Sequence, residues 1–133
     1  MSAFLFVYGT LMSSAASTYG RAQRTRLHEA TTSLGTATMR GRLYDLGSYP
    51  GLVASDDAAD IVHGEVLRLD RPDEVLPWLD DYEGIVVGHA DNEYARVTDE
   101  AVLASGETLL AQVYVWLRDP AGHRRIADGY WHG

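Results

Sequence analysis

The sequence predicts an α+β fold built on a small barrel or strongly curled sheet, on three observations. β-like segments predominate over only two clear helices, and the elements follow no regular βαβ alternation. Residues 62–69 also show only a weak polar alternation, which suits a sheet closed on itself. At 133 residues the chain has the modal size of one globular domain, and no repeat, low-complexity tract or long linker divides it. A single domain over 1–133 is therefore expected.

The elements follow in order. Residues 3–8 form a continuous apolar run of mixed β-formers, as expected of a strand buried on both faces, and Gly9 stops it. Residues 13–28, with Ala15, Ala16, Tyr19, Ala22 and Leu27, predict a helix whose weak point is Gly20. Residues 36–46 alternate loosely like a strand, and Gly47-Ser48-Tyr49-Pro50-Gly51 is turn chemistry. Residues 62–69 read as a strand, and 72–83 as a helix with Pro72 in its first turn, Asp73 and Glu74 near its positive end, and Gly84 as a stop. Pro77 disturbs that helix, because an interior proline removes a hydrogen bond; a start near Val75 would place it in the first turn. Strands are expected near 93–103 and 109–117, with Asp119-Pro120 ending the last.

Composition removes several classes of function. Hydrophobic residues are 46% and charged residues 23%, which excludes a mainly disordered chain. With no cysteine there is no disulfide, Cys-zinc site, iron–sulfur cluster or cysteine nucleophile. All eleven basic residues are arginine, against nineteen acids, for a net charge of −8. Residues 1–44 carry +4, residues 45–107 carry −13 and residues 108–133 carry +1. So acidic a middle section would repel phosphate backbones, so no nucleic-acid partner is expected. Arg21, Arg24 and Arg26 read as a solvated helix face. The apolar opening is too short to span a bilayer and lacks a preceding basic segment, so no membrane partner or signal peptide is read and a cytoplasmic location is expected.

No G-x-S-x-G elbow is present, and Gly9-Thr10 lacks the spacing of a Walker loop or dinucleotide fingerprint. His28, His63, His89, His123 and His132 show no metal-ligand spacing, so no metal site is assigned. Two features remain. In Val7-Tyr8-Gly9-Thr10-Leu11 a buried strand breaks at a glycine, where amides without ladder partners suit a carboxylate; an ordinary turn explains the same residues. In Leu79-Asp80-Asp81-Tyr82-Glu83-Gly84 three acids crowd the negative end of a helix, where Lys or Arg is the usual preference. Glu83, after an aromatic residue and before the chain reversal, is placed to turn inward while Asp80 and Asp81 stay solvated. Burial and like charge would raise its pKa, as a general acid/base near neutrality requires. A frayed, solvated acidic helix end is the other reading.

Five short blocks in register carry a resemblance. Leu5-Phe6-Val7-Tyr8-Gly9-Thr10-Leu11, then Gly41-Arg42-Leu43-Tyr44-Asp45 with Tyr49-Pro50-Gly51-Leu52-Val53, then Gly64-Glu65-Val66 with Leu79-Asp80-Asp81-Tyr82-Glu83, then Tyr94-Ala95-Arg96, and finally residues 111–116 span most of the chain. Together they resemble the gamma-glutamylcyclotransferase-like superfamily, especially its gamma-glutamylaminecyclotransferase branch. The resemblance implies a small mixed β-barrel of about six strands flanked by a few helices, with a pocket for a gamma-glutamyl group. It implies that the backbone of Gly9, Thr10 and Leu11 binds the glutamyl α-carboxylate, that Tyr8 and Tyr94 line the pocket, and that Glu83 is the catalytic acid/base.

The implied reaction releases 5-oxoproline and a free amine or amino acid from a gamma-glutamyl amide or peptide. The substrate carries its own nucleophile, so neither a metal nor a cofactor is required. The alternative is a binding or regulatory module that keeps the pocket without efficient chemistry. A third possibility is removal of a gamma-glutamyl protecting group from a larger amine. Loops over 47–60 and 84–93 would meet the leaving amine; there Asp56, Asp57, Asp60 and Asp91 would favour a cation, or simply form a solvated acidic surface. Arg96 is read as an ion-pair partner for the acidic section. Tyr44, Tyr49 and Tyr114 have the residue types of a polar pocket or a half-buried core, and Trp78 and Trp116 are assigned to packing.

Overall fold

The computed structural model describes residues 3–86 and 92–132. Five strands close into a barrel in the order β1-β5-β2-β6-β7: β1 (Ala3–Val7), β2 (Thr31–Arg40), β5 (Ile61–Leu69), β6 (Tyr94–Leu103) and β7 (Thr108–Trp116). The barrel is mixed, because β1 runs antiparallel to β5 but parallel to β7, with Leu5 beside Gln112. A register shift between Ser33 and Gly35 interrupts the β2–β5 ladder, and such bulges increase the local bend that a small closed sheet needs. β3 (Arg42–Asp45), β4 (Pro50–Val53) and β8 (Arg124–Ile126) form a separate sheet in the order β4-β3-β8.

The apolar run that opens the chain serves two cores. Phe6 and Tyr8 pack with Ala37, Met39, Val62, Val66, Ala101 and Val113, drawn from the other four barrel strands. Leu43, Leu52 and Ile126 of the smaller sheet extend that cluster. The alternate residues Leu5 and Val7 pack outward with Leu27 of α1 (Arg21–Glu29) and with Val75 and Leu79 of α2 (Pro72–Tyr82). Strand periodicity alternates the side chains, so a strand covered on both faces has no polar position to spare.

Several expectations change. The barrel has five strands rather than about six, and the segment expected over 36–46 divides at Gly41 into β2 and β3, with β2 starting at Thr31. The helix expected over 13–28 begins only at Arg21, because Gly20 adopts φ 74°, a left-handed conformation that cannot continue a helix. α2 begins at Pro72 and accepts Pro77 inside it; burial of Val75 and Leu79 against the barrel offsets the lost hydrogen bond. β4 lies in what reads as turn sequence. Among the described residues no helix is long and apolar enough to cross a membrane.

Candidate active site

The end of β1 and the end of α2 meet at one cavity. Beyond Val7, the Tyr8 hydroxyl donates to the Tyr114 carbonyl at 2.7 Å and accepts from the Leu52 amide at 3.2 Å. Burial, and then the nearby Glu83 carboxylate, push this phenol well above its ordinary pKa, so it stays protonated. The chain then turns, with the Met12 amide donating to the Gly9 carbonyl at 3.1 Å. Gly9 is required by close approach: an added Cβ would stand 2.6 Å from Pro50 Cγ.

Among the described residues no oxygen accepts a hydrogen bond from the amides of Gly9, Thr10 or Leu11, although all three residues are buried. Their carbonyl sides are engaged. Arg24 Nη1 donates to the Thr10 carbonyl at 2.8 Å and Arg24 Nη2 to the Ser17 carbonyl at 3.0 Å. His28 Nε2 lies 2.7 Å from the Leu11 carbonyl, an acceptor only, so that ring nitrogen carries the proton. Downstream, buried Glu65 accepts from the Ser13 amide at 2.8 Å and the Ser33 hydroxyl at 2.5 Å.

Glu83 caps the C-terminus of α2 in helical conformation, and Gly84 reverses the chain at φ 75°. Its carboxyl is pushed up to about 7, first by burial and then by the charge of Asp80 one turn earlier. The negative end of the helix dipole acts in the same direction. Asp80 is not solvated as expected. Arg96 holds it bidentately at 2.8 and 3.1 Å, and the Tyr114 hydroxyl donates to it at 2.5 Å. Arg96 is thus an ion-pair partner for the acidic section, while Asp81 is exposed.

The cavity between these elements has a volume of about 160 Å³. Tyr8, Gly9, Thr10, Leu11, Glu83 and Tyr94 all line it, so the structure brings together every site residue named from the sequence. Tyr94 donates its hydroxyl to the Pro50 carbonyl at 2.9 Å, and burial pushes its pKa far up. Tyr49 and Tyr114 also face the cavity, whereas Tyr44 does not. Three lining residues escaped sequence reasoning. Tyr19 stacks on Tyr49 with centroids 5.5 Å apart, Tyr82 is pushed up to about 12 mainly by burial, and Glu93 stands beside them. Tyr82 was signalled only by its place beside Glu83.

Other expectations fall elsewhere. Asp60 ties to the smaller sheet, accepting from Ser55, Arg42 of β3 and Arg125 of β8, and the Ser55 hydroxyl and Arg42 guanidinium hold its carboxyl well below the usual range. Asp56 and Asp57 are exposed, and Asp91 and His89 lie outside the described residues. Arg24 belongs to no solvated face, and Arg26 sits 4.2 Å over the Trp78 ring. Among the described residues no group of three or more His, Asp or Glu side chains is arranged to hold a metal.

The closed mixed barrel thus carries one cavity lined both by Glu83 and by the Gly9–Leu11 turn, and comparison places the chain within a family. Residues 5–133 match the family described as "Gamma-glutamyl cyclotransferase, AIG2-like", and the chain belongs to it. A curated Vibrio cholerae protein, provisionally named a gamma-glutamylcyclotransferase, is 33% identical over 132 residues, covering 98% of this chain and 96% of that protein. The crystal structure of an AIG2-like protein from Mus musculus superposes with TM-score 0.69 at 20% identity, over 92% of this chain and 84% of that one. YkqA from Bacillus subtilis gives TM-score 0.67 at 23% identity, with 98% of this chain covering 40% of YkqA. The last two likenesses show the fold alone.

Proposed function

We propose that this protein is a gamma-glutamyl cyclotransferase that releases 5-oxoproline and a free amine from a gamma-glutamyl amide, with Glu83 as general acid/base. The observation that carries this reading is one cavity lined both by a carboxyl poised at about 7 and by the Gly9–Leu11 turn, whose three amides have no acceptor among the described residues. The amides of Gly9, Thr10 and Leu11 are suited to the substrate α-carboxylate. Tyr8 and Tyr94, whose hydroxyls are committed to carbonyls, shape the walls.

With the α-carboxylate seated, the Glu83 carboxylate takes a proton from the α-ammonium group. The freed amine attacks the γ-carbonyl carbon and closes a five-membered ring. Neutral Glu83 then donates to the departing nitrogen as the amide C–N bond breaks. The surplus proton on the ring nitrogen passes through the regenerated carboxylate to the product amine, so protons balance. A group near 7 is suited to both transfers, because neither direction is steeply uphill. Holding the two reacting groups in one molecule supplies effective molarities of about 10⁵–10⁸ M, so the protein's task is folding the substrate and moving protons.

Product analysis tests this reading. Gamma-glutamyl-alanine, gamma-glutamyl-ε-lysine and a simple gamma-glutamyl alkylamine should yield 5-oxoproline, and their N-acetylated forms, which lack the nucleophile, should be inert. Release of glutamate, or turnover of the acetylated forms, would refute intramolecular attack. Failure of all substrates alongside tight 5-oxoproline binding would favour a binding module.

A further inference from the structure

The loop that carries the unengaged amides is held from behind by α1, and one of its contacts differs in kind from the others. A peptide unit is planar and trans, so the carbonyl of one residue and the N–H of the next point in opposite directions. The bond from His28 to the Leu11 carbonyl therefore orients the Met12 N–H, which closes the turn onto the Gly9 carbonyl. The bond from Arg24 to the Thr10 carbonyl orients the Leu11 N–H, which has no acceptor among the described residues. Thr10 and Leu11 line the cavity and Arg24 does not. The guanidinium thus draws the carbonyl to the rear and turns the N–H of the same peptide toward the cavity.

We propose that Arg24 is a positioning residue of this site: it fixes and polarises the Thr10–Leu11 peptide so that the Leu11 N–H meets a ligand carboxylate. The inference rests on the cyclotransferase reading. It gives α1 a role that neither the barrel nor the acid/base chemistry uses. A cation hydrogen-bonded to a peptide carbonyl strengthens the opposite N–H as a donor, because linked hydrogen bonds polarise one another. The planar fork also explains why an arginine stands here, since it reaches the Thr10 and Ser17 carbonyls at once.

The test uses the intact protein and its Arg24→Gln and Arg24→Lys variants, with Arg21→Gln as control on the exposed start of the same helix. Each is compared by unfolding temperature, by kcat and KM on the best gamma-glutamyl substrate, and by 5-oxoproline titration followed at the backbone amide resonances. In the wild type, 5-oxoproline should shift the Leu11 amide. In Arg24→Gln that shift should vanish, and KM and the 5-oxoproline Kd should rise by about 10- to 100-fold, the loss expected for one charge-assisted hydrogen bond. The kcat should stay within about threefold, since Glu83 is untouched. Arg24→Lys, which reaches one carbonyl, should fall between, and it carries the test if Arg24→Gln does not fold. Arg21→Gln should match the wild type.

Wild-type affinity and an unchanged Leu11 response in either folded Arg24 variant would overturn the positioning role while leaving the cyclotransferase reading intact. A loss of kcat at constant KM would overturn it as well. A wild type that neither turns over any substrate nor binds 5-oxoproline would end the cyclotransferase reading, and the role of Arg24 with it.

Discussion

A carboxyl whose pKa is raised by folding destabilises the fold once it is ionised, so Glu83→Gln should make the protein more stable as well as inactive. Glu83 moves from an ordinary 4.5 to about 7. At about 1.4 kcal/mol per unit, that difference amounts to roughly 3 kcal/mol. The sign follows from proton linkage. Between 4.5 and about 7 the folded state binds the proton more tightly than the unfolded chain, so this stability is complete below 4.5 and is lost as pH rises to about 7. Glutamine has the shape of the neutral acid and never ionises. The gap in unfolding temperature between Glu83→Gln and wild type should therefore be small near pH 4.5 and widen to on the order of 10 °C by pH 8, at about 3 °C per kcal/mol for a chain of this size. Thermal unfolding by circular dichroism across that range measures it, and titrations common to both proteins cancel in the difference. A gap that does not change with pH would refute the idea that Glu83 is buried and poised.

Three further outcomes follow from the same geometry. Asp80→Asn removes the second cause of the Glu83 shift and leaves the Arg96 cation without its partner, so the acid limb of kcat/KM should move to lower pH; Arg96→Gln exposes the Asp80 charge and should move it up. Opposite displacements in the two pH–rate profiles would be the signature, and coincident ones would contradict it. Gly9→Ala places a Cβ 2.6 Å from Pro50, so it should displace β4, lower stability by about 1–3 kcal/mol in urea unfolding and raise KM. Leu79→Ala opens a void where α2 meets the barrel and should cost about 2–5 kcal/mol, with kcat falling more than KM rises because Glu83 rides on that helix.

Much of this arrangement was legible in the residues, and what was not has physical causes. The unbroken run through Leu5, Phe6 and Val7 announced a strand covered on two faces, and both cores use it. The acids at the end of α2 stood out as a candidate site, because they contradict the dipole preference with no basic neighbour in sequence. Their relief is tertiary: Arg96 reaches Asp80 from β6, sixteen positions away, which no local pattern shows. Arg24 was hidden likewise, since an arginine on a short polar helix looks solvated until its carbonyl partners are known. The helix over 13–28 failed because Ala15, Ala16 and Tyr19 fit a helical stripe while Gly20 set the true boundary. β4 and β8 are four and three residues long, too short for period-two alternation to be read.

The most direct measurement is 5-oxoproline released from one gamma-glutamyl amide by equal amounts of wild type and Glu83→Gln, both confirmed folded. The wild type should form 5-oxoproline and free amine in equal amounts, and the glutamine variant should lose at least about a hundredfold in rate, the low end of what a positioned acid/base contributes. Undiminished release by the folded variant would contradict the assignment of Glu83.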